Sequence, residues 1–491
     1  MRCWVRWRTA LTSNVGVSRR IAHNTVVQLT SKGVTAVSGI LLLAIITRTL
    51  GLSGYGNYAT ILAYTQFFAV FSDLGINVYA VKRLSIGSGR ETEEAASMFT
   101  LRVLSGGVIL GAAAIIVRFM PYAPAVKEGI EIVLFAMFAQ TLNSLFVSVL
   151  QSRLEMQYAA FSEVAGRIAI LALTALSVVL KGGLMGIVLA TTAGNILNAA
   201  ITYFYANRFV CLRVGLDWGL TQRIFNDALP IGVTGVLSYV YFKVDSVILS
   251  AIRIPGKINR VEVGIYGAAY KVVDQMVLVP TIFLGNIFPV LTSYLATDRT
   301  KAEALLRRAF VIMALVSFPV TAILNGYATK IIVFVAGASF APAAVPLRIL
   351  AFAIMLTYFN GLFTYTALAL NRQKSLIWVY GLAAIGNAVS NFVLIPRYSY
   401  VAASYTTLAT EAFVLIGAWL VSRDAISFRF PWAKSLHFLV IALIVAVFLH
   451  YSQRLEVLAG IFAAGLIYGG LAILTGAVSI GEIRGLLARP D

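Results

Sequence analysis

Apolar residues in this chain come in long runs, separated by short polar stretches. The runs fall near 22–48, 57–81, 98–119, 129–150, 160–180, 184–206, 228–252, 262–295, 305–328, 343–370, 375–395, 400–421, 435–450 and 456–480. A helix needs about 20 apolar residues to cross a hydrocarbon core about 30 Å thick, so the pattern predicts about fourteen transmembrane helices. The runs do not alternate. Strands of a membrane barrel would need only about 10 residues with period two, which argues against that class. The predicted fold is an all-α polytopic membrane protein.

Polar residues inside the runs are not scattered. Asn24, Gln28, Ser31, Thr35 and Ser38 share one face of the first run, with Lys32 beside them. Gln140, Asn143 and Ser144 mark the fourth run, and Thr191, Asn195, Asn198 and Thr202 the sixth. Thr357, Asn360 and Thr364 repeat the pattern in the tenth, Asn387 and Asn391 in the eleventh, Thr407 and Glu411 in the twelfth. A single stripe of this kind is most simply glue between tightly packed helices. Stripes in both halves of the chain, together with charge at mid-span, favour a hydrated cavity.

The charge lies in the two central runs. Lys243 and Asp245 sit inside the seventh, Lys271 and Asp274 inside the eighth. Ionised groups at that depth are costly and mark a partner or a watery path. Lys271 and Asp274 are three apart and can pair on one helix. Lys243 and Asp245 are two apart and point to different sides. Lys243 and Lys271 are therefore candidate cavity cations, with Asp245 and Asp274 as counter-ions. Glu411 is a lone mid-helix acid, suited to binding a coupling proton or pairing with a cation. Asp73 and Arg102 lie near the inner ends of their runs, where snorkelling or a local ion pair suffices.

Composition agrees with the hydropathy pattern. Of 491 residues, 59% are hydrophobic and only 12% are charged, against about 25% charged in a soluble protein. The net charge of +19 would suggest nucleic acid on a soluble chain. Here the basic residues lie mostly in the short loops, where anionic lipid and the positive-inside rule account for them. With the N-terminus inside, 26 of the 39 Lys and Arg residues fall on the inner side and 11 on the outer. That split places both termini in the cytoplasm. Residues 1–19 form a basic leader without a signal-peptide core, read as disordered or interfacial. Cys3 and Cys211 both fall on the inner side and imply no disulfide, and His23, His437 and His450 form no metal set. No phosphate-binding loop, zinc motif or nucleophile elbow appears, and the loops are too short to build an enzyme active site. The reading is non-enzymatic, with no cofactor and no nucleic-acid partner.

A weak repeat organises the whole. Gly56-Asn57-Tyr58-Ala59 opens the second run and Gly264-Ile265-Tyr266-Gly267 opens the eighth, six runs later. This predicts two six-helix lobes, 20–206 and 227–421, a cytoplasmic linker at 207–226, and an extra helix pair at 434–480.

Several stretches resemble one known family: ITRTLGLSGYGNYATI followed by FSDLGI, then KVDSVILS with VGIYGAAYKVVD, FPVLTSYLA, NGLFTYTALALNRQK and NFVLIPRYSYVAASYTTLATE. Their order and spacing over about 20–480 resemble the polysaccharide-flippase (Wzx-type) branch of the multidrug/oligosaccharidyl-lipid/polysaccharide exporter superfamily. The resemblance implies a V-shaped, MATE-like fold working by alternating access in a bacterial inner membrane. It implies a cargo of polyprenyl-diphosphate-linked oligosaccharide, moved to the periplasmic leaflet for cell-surface polysaccharide such as lipopolysaccharide or exopolysaccharide. Membrane lipids, a polysaccharide polymerase and chain-length proteins are the implied partners. Cavity cations for the diphosphate match Lys243, Lys271 and Lys32. A multidrug cation/proton or sodium antiporter of the same fold is the alternative, and would use Asp245, Asp274 and Glu411 instead.

Overall fold

The computed structural model of the chain describes residues 14–86, 89–215, 217–423 and 430–477. Most of the basic leader lies outside the described residues. Among those residues sixteen α-helices follow one another and no strand occurs. The first seven are α1 (Asn14–Phe71), α2 (Ile76–Ile86), α3 (Glu91–Phe119), α4 (Pro124–Ser152), α5 (Met156–Val179), α6 (Gly183–Ala206) and α7 (Trp218–Ala251). Then come α8 (Asn259–Met276), α9 (Leu278–Thr297), α10 (Arg299–Gly326), α11 (Ala328–Ala336), α12 (Ala344–Ala369), α13 (Gln373–Tyr398), α14 (Tyr400–Arg423), α15 (Trp432–Tyr451) and α16 (Val457–Leu474).

Twelve of these elements are long and apolar enough to cross a membrane, or thirteen if the bent α7 counts as one span. The sequence predicts fourteen, and the difference lies in α1. Its apolar part, Thr30–Phe71, has 42 residues and a length of about 63 Å, twice the hydrocarbon thickness. Gly51 interrupts it with φ 66° and ψ −175°, a region essentially confined to glycine. Before Gly51, Ser31 and Lys32 reach Ala160 and Glu163 at the start of α5. After it, Tyr58 reaches Thr191 near the start of α6, at the opposite end of the α5–α6 hairpin. The chain therefore ascends to Gly51 and descends beyond it, so α1 is two spans.

Packing divides the chain into two units. Among the described residues, the first runs through Arg253 and includes Lys257–Gly264; the second holds Ile254–Gly256 and those from Ile265 onward. The seventh span thus packs with the first unit, beyond the 207–226 linker at which the hydropathy pattern divides the lobes.

In the first unit one core cluster is held by Ile76, Met98, Leu145, Phe146 and Val149, all buried. Outward, α3 and α4 expose Val108, Ile115, Phe119 and Phe135, a surface that only lipid would solvate at low cost. α7 bends by 57° between Trp218–Pro230 and Gly235–Ala251, because Pro230 removes a helix donor and crowds the preceding turn. Two pairs of glycines let backbones touch. A Cβ on Gly75 would lie 2.4 Å from the carbonyl oxygen of Ala228, and one on Gly232 2.3 Å from the carbonyl carbon of Leu74. A Cβ on Gly56 would fall 1.6 Å from the Arg260 oxygen, and one on Gly264 2.5 Å from that of Leu52.

The second unit packs Leu284, Leu291, Leu306 and Leu362 into its core. The terminal helices expose Leu443, Phe462, Leu466 and Leu474, again toward lipid.

The second span of the first unit and the α8–α9 span are both broken. The first breaks at 72–75, between α1 and α2, and the other at Val277. A break frees carbonyls that the apolar surroundings cannot solvate. In the first unit Arg102 Nη1 and Ser105 Oγ both donate to the Ser72 oxygen at 2.9 Å. In the second, the Tyr358 hydroxyl donates to the Met276 oxygen at 3.0 Å.

Candidate functional site

Each unit carries polar side chains in its helical interior. In the first, Lys32 donates to both carboxylate oxygens of Glu163, at 2.9 and 3.0 Å, and Thr35 donates to the same carboxylate at 3.3 Å. Ser31 donates to the Ala160 oxygen at 3.4 Å. The polar face of the first run is thus turned to α5, and Lys32 meets it as half of an ion pair. Gln28 is half-buried on the same helix; Asn24 lies on α1 with its side chain outside the described residues. Glu163 has no role in the sequence reading, yet it is an acid inside the apolar run at 160–180, which was its signal.

Arg102 is the deepest cation of this unit, 1% exposed. Its guanidinium donates to the Thr141 oxygen at 2.7 Å, the Ser72 oxygen at 2.9 Å, Asn77 Oδ1 at 3.0 Å and Ser144 Oγ at 2.6 Å, and pairs with Asp73 at 2.8 Å. Of the two expectations for Asp73 and Arg102, the local ion pair holds and snorkelling does not, because the head group has acceptors on every side. Gln140 donates to Asn195 Oδ1 at 3.0 Å, joining the stripes of the fourth and sixth runs.

On α7, Asp245 is fully buried and accepts from the Ser246 backbone N–H at 2.6 Å. Lys243 is half-buried, its ammonium 5.3 Å from the centre of the Phe242 ring. The two project to opposite sides of the helix, as their spacing requires. Lys271 and Asp274 are half-buried on α8, three residues apart on one face. The two lysines belong to different units.

In the second unit the polar stripes join into a directed chain. Tyr380 meets Thr364 Oγ1 at 3.0 Å, Thr364 donates to Asn360 Oδ1 at 3.1 Å, and Asn360 Nδ2 donates to Glu411 at 3.2 Å. Because Thr364 gives its proton to Asn360, Tyr380 is the donor to Thr364. Each donor of this chain thus points toward Glu411, itself 1% exposed. No cation lies within ion-pair distance of it among the described residues. A parallel chain runs from Asn391 to Asn387 at 2.7 Å and on to Thr410 at 3.0 Å.

Tyr58 and Tyr266, the tyrosines of the two Gly-x-Tyr stretches, make matching contacts. Tyr58 lies 3.2 Å from Thr191, which donates to the Ile187 oxygen four residues back; Tyr266 lies 3.4 Å from Thr407, which donates to the Ala403 oxygen four residues back. In both, the threonine proton is already used, so the tyrosine donates. The second run is thus tied to the sixth, and the eighth to the twelfth, by the same kind of bond.

The fold is that of known transporters. The lipid II flippase MurJ in an inward closed conformation is similar over 95% of this chain and 100% of its own, with a TM-score of 0.74 at 14% identity. An inward-facing MATE-family multidrug resistance transporter of the MOP superfamily is similar over 82% of this chain and 98% of its own, with a TM-score of 0.62 at 12% identity. A MOP superfamily transporter from Pyrococcus furiosus, described as having a binding pocket of reversed polarity, is similar over 83% and 94%, with a TM-score of 0.60 at 14% identity. No curated protein matches the chain. The family described as "Polysaccharide biosynthesis protein" matches residues 21–295. That is more than half of a multi-pass helical membrane chain with a transporter fold, and the chain belongs to that family.

Proposed function

We propose that the protein is a flippase that moves a polyprenyl-diphosphate-linked oligosaccharide from the cytoplasmic to the periplasmic leaflet of a bacterial inner membrane, by alternating access, for cell-surface polysaccharide synthesis. The observation that carries this reading is the family match over 21–295, a stretch that includes the mid-span cations. An anionic diphosphate needs cations along its path, and a saccharide cannot cross hydrocarbon unaided. Lys243 and Lys271 are the proposed diphosphate contacts. Lys32 is a third, acting with Glu163. The amides and hydroxyls of Gln28, Ser31, Thr35, Asn360 and Thr364 suit sugar hydroxyls. The two six-helix lobes, 20–206 and 227–421, are proposed as repeats, supported by the matching Tyr–Thr bonds. Both termini are proposed to be cytoplasmic, which the charge count supports. Polymerase and chain-length proteins are the proposed partners downstream.

The test is sided. On depletion of the protein in its host, lipid-linked saccharide accumulates on the cytoplasmic face of intact spheroplasts. The variant with both Lys243→Ala and Lys271→Ala reproduces this while its membrane level stays normal. An unchanged leaflet distribution on depletion overturns the reading.

One observation favours a second reading, an antiporter: the donor chain that ends on the buried Glu411. Under it, Glu411→Gln abolishes drug resistance and leaves lipid-linked saccharide unchanged.

A further inference from the structure

The first unit has a cleft of about 390 Å³ at the end of α7, within the range of small-molecule sites. Four pieces of chain converge there. The start of the second span brings Asn57, the turn between α3 and α4 brings Tyr122, the last turn of α7 brings Ser250, and the connection to α8 with that helix's first turn brings Arg253, Asn259 and Arg260. No carboxylate is among the lining residues. The third cation of that connection, Lys257, is held by Glu262 at 3.0 Å. Arg253 and Arg260 make no ion pair among the described residues, and both are exposed toward whatever enters.

The rest of the lining is fixed. Tyr122 lies 2.9 Å from Ser250, whose own proton goes to the Val247 oxygen at 2.7 Å, so the phenol donates to the serine. Burial pushes the Tyr122 hydroxyl above its ordinary pKa, which keeps it a neutral donor. Asn259 donates to the Ile252 oxygen and pins the connection. Under the proposed topology this end faces outward, where cations are sparse. Three of the 11 outer Lys and Arg residues nevertheless fall within eight positions here.

We propose that this cleft is an anion site for a phosphate or diphosphate group, gripped by Arg253 and Arg260. Guanidinium forks match phosphate oxygens two at a time, and a cleft without carboxylates presents nothing to repel them. The ligand comes from a soluble phosphate or from the headgroup of an anionic lipid. The proposal stands apart from the flippase reading, because binding is measured directly and not through transport.

The experiment uses the full chain in nanodiscs of phosphatidylcholine, titrated with inorganic diphosphate and followed by calorimetry. Saturable one-to-one binding is expected, weakened at least tenfold by R253Q with R260Q and unchanged by K257Q. All three positions are exposed, so the variants keep the fold; a matching unfolding temperature verifies it. Absence of saturable binding overturns the proposal. Equal weakening by K257Q also overturns it, since that reports net charge and not a site. The source is read by repeating the titration with phosphatidylglycerol in the discs. A fall in apparent affinity of fivefold or more means that the lipid headgroup holds the site, and an unchanged affinity means a soluble anion does.

Discussion

Both units solve the same problem with different chemistry. Each contains a broken span, and each break leaves a carbonyl that lipid cannot satisfy. The first unit answers with a buried guanidinium that also holds Asp73, Asn77, Ser144 and the Thr141 oxygen. The second answers with one neutral phenol, Tyr358. Their acids differ in the same sense. Glu163 has a lysine beside it, whereas Glu411 has an amide. The tyrosine–threonine tie is common to both. Two units can therefore share a brace while their interior charge differs, because the brace needs only one hydroxyl pair at a helix crossing.

The largest test of this contrast is Arg102→Met. It takes the cation from Asp73 and one of two donors from each of the Ser72 and Thr141 oxygens, a loss of several hydrogen bonds to a charged group at about 1.5–3 kcal/mol each, read as loss of folded protein in detergent unfolding. Recovery of normal stability would show that the break needs no cation. Next is Glu411→Ala, which strands Asn360 and costs roughly 1–3 kcal/mol. Glu411→Gln retains a hydrogen-bonding partner of similar shape and should cost less in the same assay. Tyr358→Phe removes a single neutral bond and costs about 1 kcal/mol, well below Arg102→Met; an equal loss would erase the distinction between the units. Smallest, Tyr58→Phe and Tyr266→Phe each cost about 1 kcal/mol and agree with one another within about 0.5 kcal/mol, with double-mutant cycles to Thr191→Val and Thr407→Val giving the same coupling.

Much of the fold was legible because hydropathy and helix length are local properties. The runs at 98–119 and 160–180 reappear as α3 and α5 with modest changes at their ends, and the GxYx stretches contain Tyr58 and Tyr266, each of which meets a threonine on another helix. What stayed hidden was pairing across helices. Nothing near Lys32 in the chain announces Glu163, 131 residues away. Arg102 could be read as an end-of-span residue because its depth depends on the broken span beside it, and that break comes from the geometry at 72–75. The cleft at the end of α7 was equally invisible. Its walls are drawn from positions as distant as Asn57 and Arg260, and single exposed arginines carry no pattern.

The four touching glycines of the first unit have a consequence for how its helices can come apart. Where side chains interlock, two helices separate only by unthreading each knob from its hole, and every freed rotamer changes the entropy of the step. At Gly75 against Ala228 and at Gly56 against Arg260, bare backbone meets bare backbone. Such a crossing is close, yet it holds no memory of register. It can part and meet again along the same surface with no side chain to refile, whereas a single methyl at either glycine would act as a wedge.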